Sequence, residues 1–151
     1  MKILLATDGA KQSDAAIDLL KRMLLADGDE IKIVNIVDMA LPMSIDIYGG
    51  YLPNTMELEK TAREHGSKIL EQTAAKLNEF AGRPSVSITT EMLFGSPESR
   101  IVETAEDWKA DLVIVGSHGY SRWERILLGS VSDSVVHHAP CSVLVVRVPA
   151  E

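Results

Sequence analysis

The feature that most constrains this chain is an alternation, kept up from end to end, of short β-branched runs with longer segments of helical period. Residues 2–6 form a first apolar run, closed by the breaker Asp8-Gly9. Ser13 then reads as an N-cap, with Ile17, Leu20, Met23 and Leu24 on one helical face behind it. Asp27, Gly28 and Asp29 end that helix, and the β-branched run 31–37 predicts a second strand. A long helix is expected over about 56–80, with Leu58, Ala62, Ile69, Leu70 and Leu77 at helical spacing and Gly82 and Pro84 closing it. Residues 86–93 alternate at first, as a half-exposed third strand does. Ser96 and Pro97 place an N-cap before a proline in the first helical position, and Ile101, Val102, Ala105 and Trp108 supply that helix's apolar face. Residues 111–115 read as a fourth strand, about 130–138 as a fourth helix stopped before Pro140, and 142–148 as the last strand.

Strands that are apolar on both faces and separated by helices argue for a parallel sheet covered on both sides. The expected architecture is an α/β fold with an open five-stranded parallel sheet, in one domain spanning residues 1–151. A hydrophobic content of 46% is ordinary for a globular chain. The formal charge of -7 argues against general binding to nucleic acid or anionic membrane, both of which need clustered Lys and Arg. The single cysteine, Cys141, cannot form an internal disulfide, and the first apolar run is too short for a signal-peptide core. A cytoplasmic location is therefore expected. The segment 38–55, with Pro42, Gly49, Gly50 and Pro53, is long for a connection and reads as either functional or mobile.

In such sheets ligands bind beyond the carboxyl ends of the strands, where the strand order reverses. Two of these ends carry unusual residues. Ala6, Thr7, Asp8 and Gly9 follow the first strand; Gly116, Ser117, His118 and Gly119 follow the fourth. Gly129 and Ser130 then open the fourth helix. Glycines allow close approach of backbone to a ligand, and the free amides and dipole of a helix start suit phosphate. Arg122 and Arg125 add charge between them, and Asp8 is the candidate to hold a divalent cation such as Mg2+ or Mn2+. For Asp8 and the glycine segment to meet on one ligand, strands one and four must be neighbours, which gives the order 3-2-1-4-5. The Walker sequence, the dinucleotide G-x-G-x-x-G after strand one and the G-x-S-x-G elbow are all absent.

The pattern Gly116, Gly119, then Gly129-Ser130, with its flanks and with Ala139-Pro140-Cys141 before the last strand, resembles the universal stress protein family, and in particular its ATP-binding branch. The resemblance covers essentially the whole chain and implies a Rossmann-like, nucleotide-binding α-hydrolase-like fold. It implies that Thr7 and Asp8 sit by the adenine and ribose, that Val37 flanks the base, and that Val115 and Gly116 lie near the ribose. Gly119, Gly129, Ser130 and Val131 would hold the phosphates through backbone N–H groups. Ala6 is a departure, since family members often carry proline there. The implied role is an ATP-binding regulatory protein of the stress response. A slow ATPase or nucleotidyl-transferring enzyme on the same fold is the alternative, but no general base stands out, Glu124 and Asp133 having ordinary surface or helix-start readings.

The remaining conspicuous residues read as structural. Adjacent helical residues point about 100° apart, so His137 and His138 share a metal poorly and suit a helix C-terminus better. His118 reads as a solvated loop histidine, Cys141 as a small buried hydrophobe and Trp123 as packing. Strands three and five should be the sheet edges. Val143, Leu144, Val145 and Val146 form an apolar edge that invites cover by a second copy of the chain, and the resemblance likewise implies a homodimer made this way.

Overall fold

A computed structural model describes residues 1–23, 25–38, 55–79, 85–117 and 128–147. The elements follow the expected alternation: β1 (Lys2–Ala6), α1 (Lys11–Arg22), β2 (Glu30–Val37), α2 (Thr55–Asn78), β3 (Ser87–Phe94), α3 (Pro97–Trp108), β4 (Leu112–Gly116), α4 (Ser130–His138) and β5 (Ser142–Val146). The five strands form one parallel sheet in the order β3-β2-β1-β4-β5. The order reverses between β1 and β4, as the need to bring Asp8 and the second glycine segment together required.

Strand alternation divides the core in two. Ile3, Leu5, Ile31, Ile33 and Ile114 face α1 and α2 and pack with Ile17, Leu20, Leu70 and Leu77. Leu4, Val34, Val113 and Val115 face the other way and pack with Ile101 and Ala105 of α3 and Val135 of α4. Successive residues of a strand point to opposite faces, so β1 supplies both cores from one apolar run.

Two local expectations need correction. Ser13 does not cap α1: the N-cap is Ala10, and Ser13 lies inside the first turn. The physical reason is Asp8, whose Oδ1 accepts the Ala10 amide at 2.9 Å and the Ser13 hydroxyl at 3.0 Å. This carboxylate turns the chain and starts the helix earlier than the serine alone would. Met23 does not continue the helical face either. It is the extended C-cap of α1 and donates its amide to the Leu20 carbonyl, although its side chain still packs on the α1–α2 core. Ser96 does occupy the N-cap of α3 ahead of Pro97, but its side chain does not cap the helix. The Ser96 hydroxyl instead serves Glu98 and, with Glu98's own amide, holds that carboxyl below its usual range. The segment 39–54, and the ends of the expected second helix at Phe80 and last strand at Val148, lie outside the described residues.

Candidate functional site

The β1–α1 turn is built to present Asp8. The Thr7 amide extends the sheet by donating to the Val34 carbonyl at 3.0 Å, and the Thr7 hydroxyl accepts the Gly9 amide at 3.2 Å. Gly9 has φ of 77°, a left-handed conformation that a side chain would oppose, and a Cβ there would stand 3.0 Å from Cγ1 of Ile69 on α2. The turn is thus fixed by sheet, hydroxyl and helix together. With Oδ1 of Asp8 engaged by Ala10 and Ser13, Oδ2 is the oxygen left for a ligand.

Across the reversal, β4 ends at Gly116, and the following residue ties two elements together. The Ser117 amide donates to the Val146 carbonyl at 2.9 Å, while its own carbonyl accepts the Gly129 amide at 2.8 Å and the Ser132 hydroxyl at 3.1 Å. These bonds hold the start of α4 beside the end of β4. Gly129 is the N-cap, and no side chain caps this helix end. The Asp133 amide is the one that bonds back to Gly129, so the amides of Ser130, Val131 and Ser132 have no intrahelical partner and carry the positive end of the dipole.

Between the two ends lies a cleft of about 170 Å³. Ala6, Thr7 and Asp8 line it from β1, and Val115, Gly116 and Val131 from the β4–α4 side. All six were expected at the site. Four more residues line it that were not expected at the site: Ser13, Ile36, Pro97 and Ile101. Their signals were weak but present. Ser13 lies in the first turn of α1, just after Asp8, and Ile101 lies one turn beyond Pro97 at the start of α3. Ile36 follows from register: Ala6 pairs with Val34, so the next β2 residue on that face is Ile36. Val37, expected against the base, is absent from this lining; its carbonyl accepts the Gly95 amide at 3.1 Å. Gly129 and exposed Ser130 stand at the helix end beside the cleft. Gly119 lies outside the described residues, as do His118, Arg122, Trp123, Glu124 and Arg125.

Other candidates fall elsewhere. His137 and His138 are exposed on the last turn of α4, each Nδ1 lying 2.8 Å from the carbonyl four residues back. Cys141 is partly buried against the α3–α4 core, and burial pushes its thiol pKa up, with Asp111 adding to the rise. Among the described residues no group of three or more His, Cys, Asp or Glu is placed to hold a metal ion, and no helix is long and apolar enough to cross a membrane.

An open parallel sheet with a cleft at its reversal point defines the doubly wound α/β class, in which that crevice is where ligands bind. The sequence profile of the universal stress protein family matches residues 1–147, and the chain belongs to this family. A universal stress protein of Methanocaldococcus jannaschii is 34% identical over 151 residues, covering 98% of this chain and 82% of the relative. Among solved structures, a hypothetical protein whose biochemical function was assigned from its structure superposes with a TM-score of 0.80 at 26% identity, covering 99% of this chain and 97% of the other. A family member from Arabidopsis thaliana with AMP bound gives a TM-score of 0.70 at 16% identity, covering 99% and 93%. A universal stress protein in complex with cAMP gives 0.64 at 24% identity, covering 97% and 95%.

Proposed function

We propose that this chain binds an adenine nucleotide, ATP before the others, in the cleft between the β1–α1 turn and the start of α4, and that it acts as a nucleotide-dependent regulatory protein. The observation that carries the reading is the convergence of three features on one cleft. One wall is apolar, made by Ala6, Ile36, Ile101 and Val115 and suited to a flat base. Asp8 supplies an acceptor for ribose hydroxyls. The uncapped start of α4 offers amides to phosphate. Adenine nucleotides are the ligands in the solved family members with AMP and cAMP, which supports the base class. The preference for a triphosphate rests on the glycine pattern that includes Gly119. A divalent cation carried in with the phosphates would find its protein ligand in Asp8, with phosphate oxygens and water completing its shell.

Two experiments test this. Mass spectrometry of ligand released by denaturing freshly purified protein should find an adenine nucleotide. Isothermal titration should then show that Gly129→Val, which puts a branched side chain where phosphates would pass, weakens ATP binding sharply; unchanged affinity would defeat the reading. The proposal extends to assembly. β5 pairs on one side with β4 alone and leaves Val143, Leu144 and Val145 half-buried at the sheet edge. A two-fold contact of β5 with its copy would cover them. Sedimentation at micromolar concentration should show a dimer that Val145→Lys weakens, and a dimer indifferent to that change would exclude this interface.

A further inference from the structure

Asn35 is a polar side chain in an apolar place. It is 5% exposed, on the face of β2 that otherwise carries Ile31 and Ile33 into the α1–α2 core. Its Nδ2 donates to the Thr7 carbonyl at 2.8 Å. Thr7 is therefore held from β2 at both ends of its backbone, by the Val34 carbonyl at its amide and by Asn35 at its own carbonyl. The peptide so fixed is the one that leads into Asp8. Asn35 has room only because α2 carries a glycine above it: a Cβ at Gly66 would stand 2.6 Å from Asn35 Oδ1 and 3.1 Å from Cε of Met92. One turn further along α2, Ile69 presses on Gly9 at the other side of the same turn. Space-filling alone would place an aliphatic residue at position 35, since a buried amide is costly unless its hydrogen bonds matter.

We infer that Asn35 is a positioning residue for the nucleotide cleft, holding the Thr7-Asp8 peptide so that the Asp8 carboxylate faces the ligand, and that Gly66 of α2 keeps it in place. The inference rests on the proposed function for its ligand, but the geometry of the turn can be read without one. α2 faces away from the cleft, yet through Gly66 over Asn35 and Ile69 over Gly9 it bears on the residues that line it. Any shift of α2 along its axis would reach Asp8 through these two contacts.

The test uses the full chain and three variants. Asn35→Leu keeps roughly the volume and removes the donor. Leu77→Ala, at the far end of α2, is the control that weakens the core without touching the turn. Gly66→Ala leaves Asn35 intact but crowds it. In nucleotide-free protein, hydrogen exchange at the Gly9 and Ala10 amides should speed up by about tenfold or more in Asn35→Leu, the factor expected for one buried hydrogen bond left unmade, and stay near wild type in Leu77→Ala. ATP affinity by isothermal titration should fall by about tenfold or more in Asn35→Leu and by less than about twofold in Leu77→Ala. Gly66→Ala should weaken ATP binding and speed exchange at the Gly9 and Ala10 amides with Asn35 present, and do neither further in an Asn35→Ala background, which would place its effect on the turn through Asn35. Unchanged exchange at Gly9 and Ala10 in Asn35→Leu would overturn the inference, as would equal losses of affinity in Asn35→Leu and Leu77→Ala. Should Asn35→Leu fail to fold, Gly66→Ala decides in its place: unchanged exchange at the Gly9 and Ala10 amides in that variant would overturn the inference. A wild-type protein that binds no adenine nucleotide would overturn the proposed function alone, because the exchange measurement still judges Asn35.

Discussion

The two faces of the sheet are built from the same strands and do different work. On the α1–α2 face the inward residues are mostly large: Ile3, Leu5, Ile31, Ile33 and Ile114 are fully buried. They are sealed by a 12-residue and a 24-residue helix. On the α3–α4 face β1 changes from Leu4 to the smaller Ala6 at its carboxyl end, and β4 ends at Gly116 beside it. The helices there have 12 and 9 residues, and Pro97, Ile101 and Val131 at their amino ends line the cleft. One face carries the larger fully buried side chains; the other leaves a cleft at one end. A domain with both faces sealed would be more stable but would have nowhere to bind.

The strongest way to break this division is to damage the closed face. Leu20 is 0% exposed in the α1–α2 core, and Leu20→Ala should cost about 2–5 kcal/mol of folding stability through lost transfer energy and a cavity. Urea denaturation measures that loss, and ATP affinity of the folded variant should be nearly unchanged. A large affinity loss would mean that the faces are not separable. The complementary change is Ser130→Ala at the open end. It removes a hydroxyl at an exposed helix start where the proposed function puts the phosphates, and on that proposal should weaken ATP binding by about 1.5–3 kcal/mol, the range for a hydrogen bond to a charged group. Its urea midpoint should match wild type, since no side chain caps α4 to begin with. Equal ATP affinities in titration would remove Ser130 from the site.

The smallest effect expected lies at the amino end of the sheet, away from the cleft. Asp29 is buried there; the Ala26 amide and then the N-terminal ammonium hold its carboxyl below the usual range. A depressed value in the folded state means that the unfolded chain takes up the proton first as pH falls. The contribution of Asp29 is therefore complete above the ordinary carboxylate pKa of about 3.9 and is lost as pH drops through the lower folded value. Denaturation of wild type and Asp29→Asn should show a stability gap at pH 7 that narrows on acidification through this window. A gap independent of pH would assign the effect to packing instead. The same series should leave the cleft untouched, sharpening the contrast between an end of the sheet that is pinned and an end that is open.

Reading the sequence succeeded where the signal is local and in the order of the strands. The alternation of apolar runs and helical periods located each of the nine elements seen among the described residues, with ends shifted by a few residues. The order of the strands was legible from the expectation that Asp8 and the segment 116–130 serve one ligand. It failed where a side chain's role depends on what lies across from it. Ser13 looked like a helix cap because it is a serine before an apolar period. Only the position of Asp8 Oδ1 shows that it braces a carboxylate instead. Val37 and Ile36 are adjacent and equally apolar, and nothing local separates them.

What the sequence determined by itself was therefore the set of described elements, the parallel sheet and the two strand ends that border the cleft, because periodicity and glycine placement act over a few residues. What the tertiary structure decided was which face each residue serves. A one-residue change of register turns every side chain of a strand to the opposite side. The pairing of Ala6 with Val34 puts Ile36 into the cleft lining and sends Asn35 beneath Gly66 to hold Thr7. That pairing joins residues 28 apart in the chain, and no pattern within either strand encodes it.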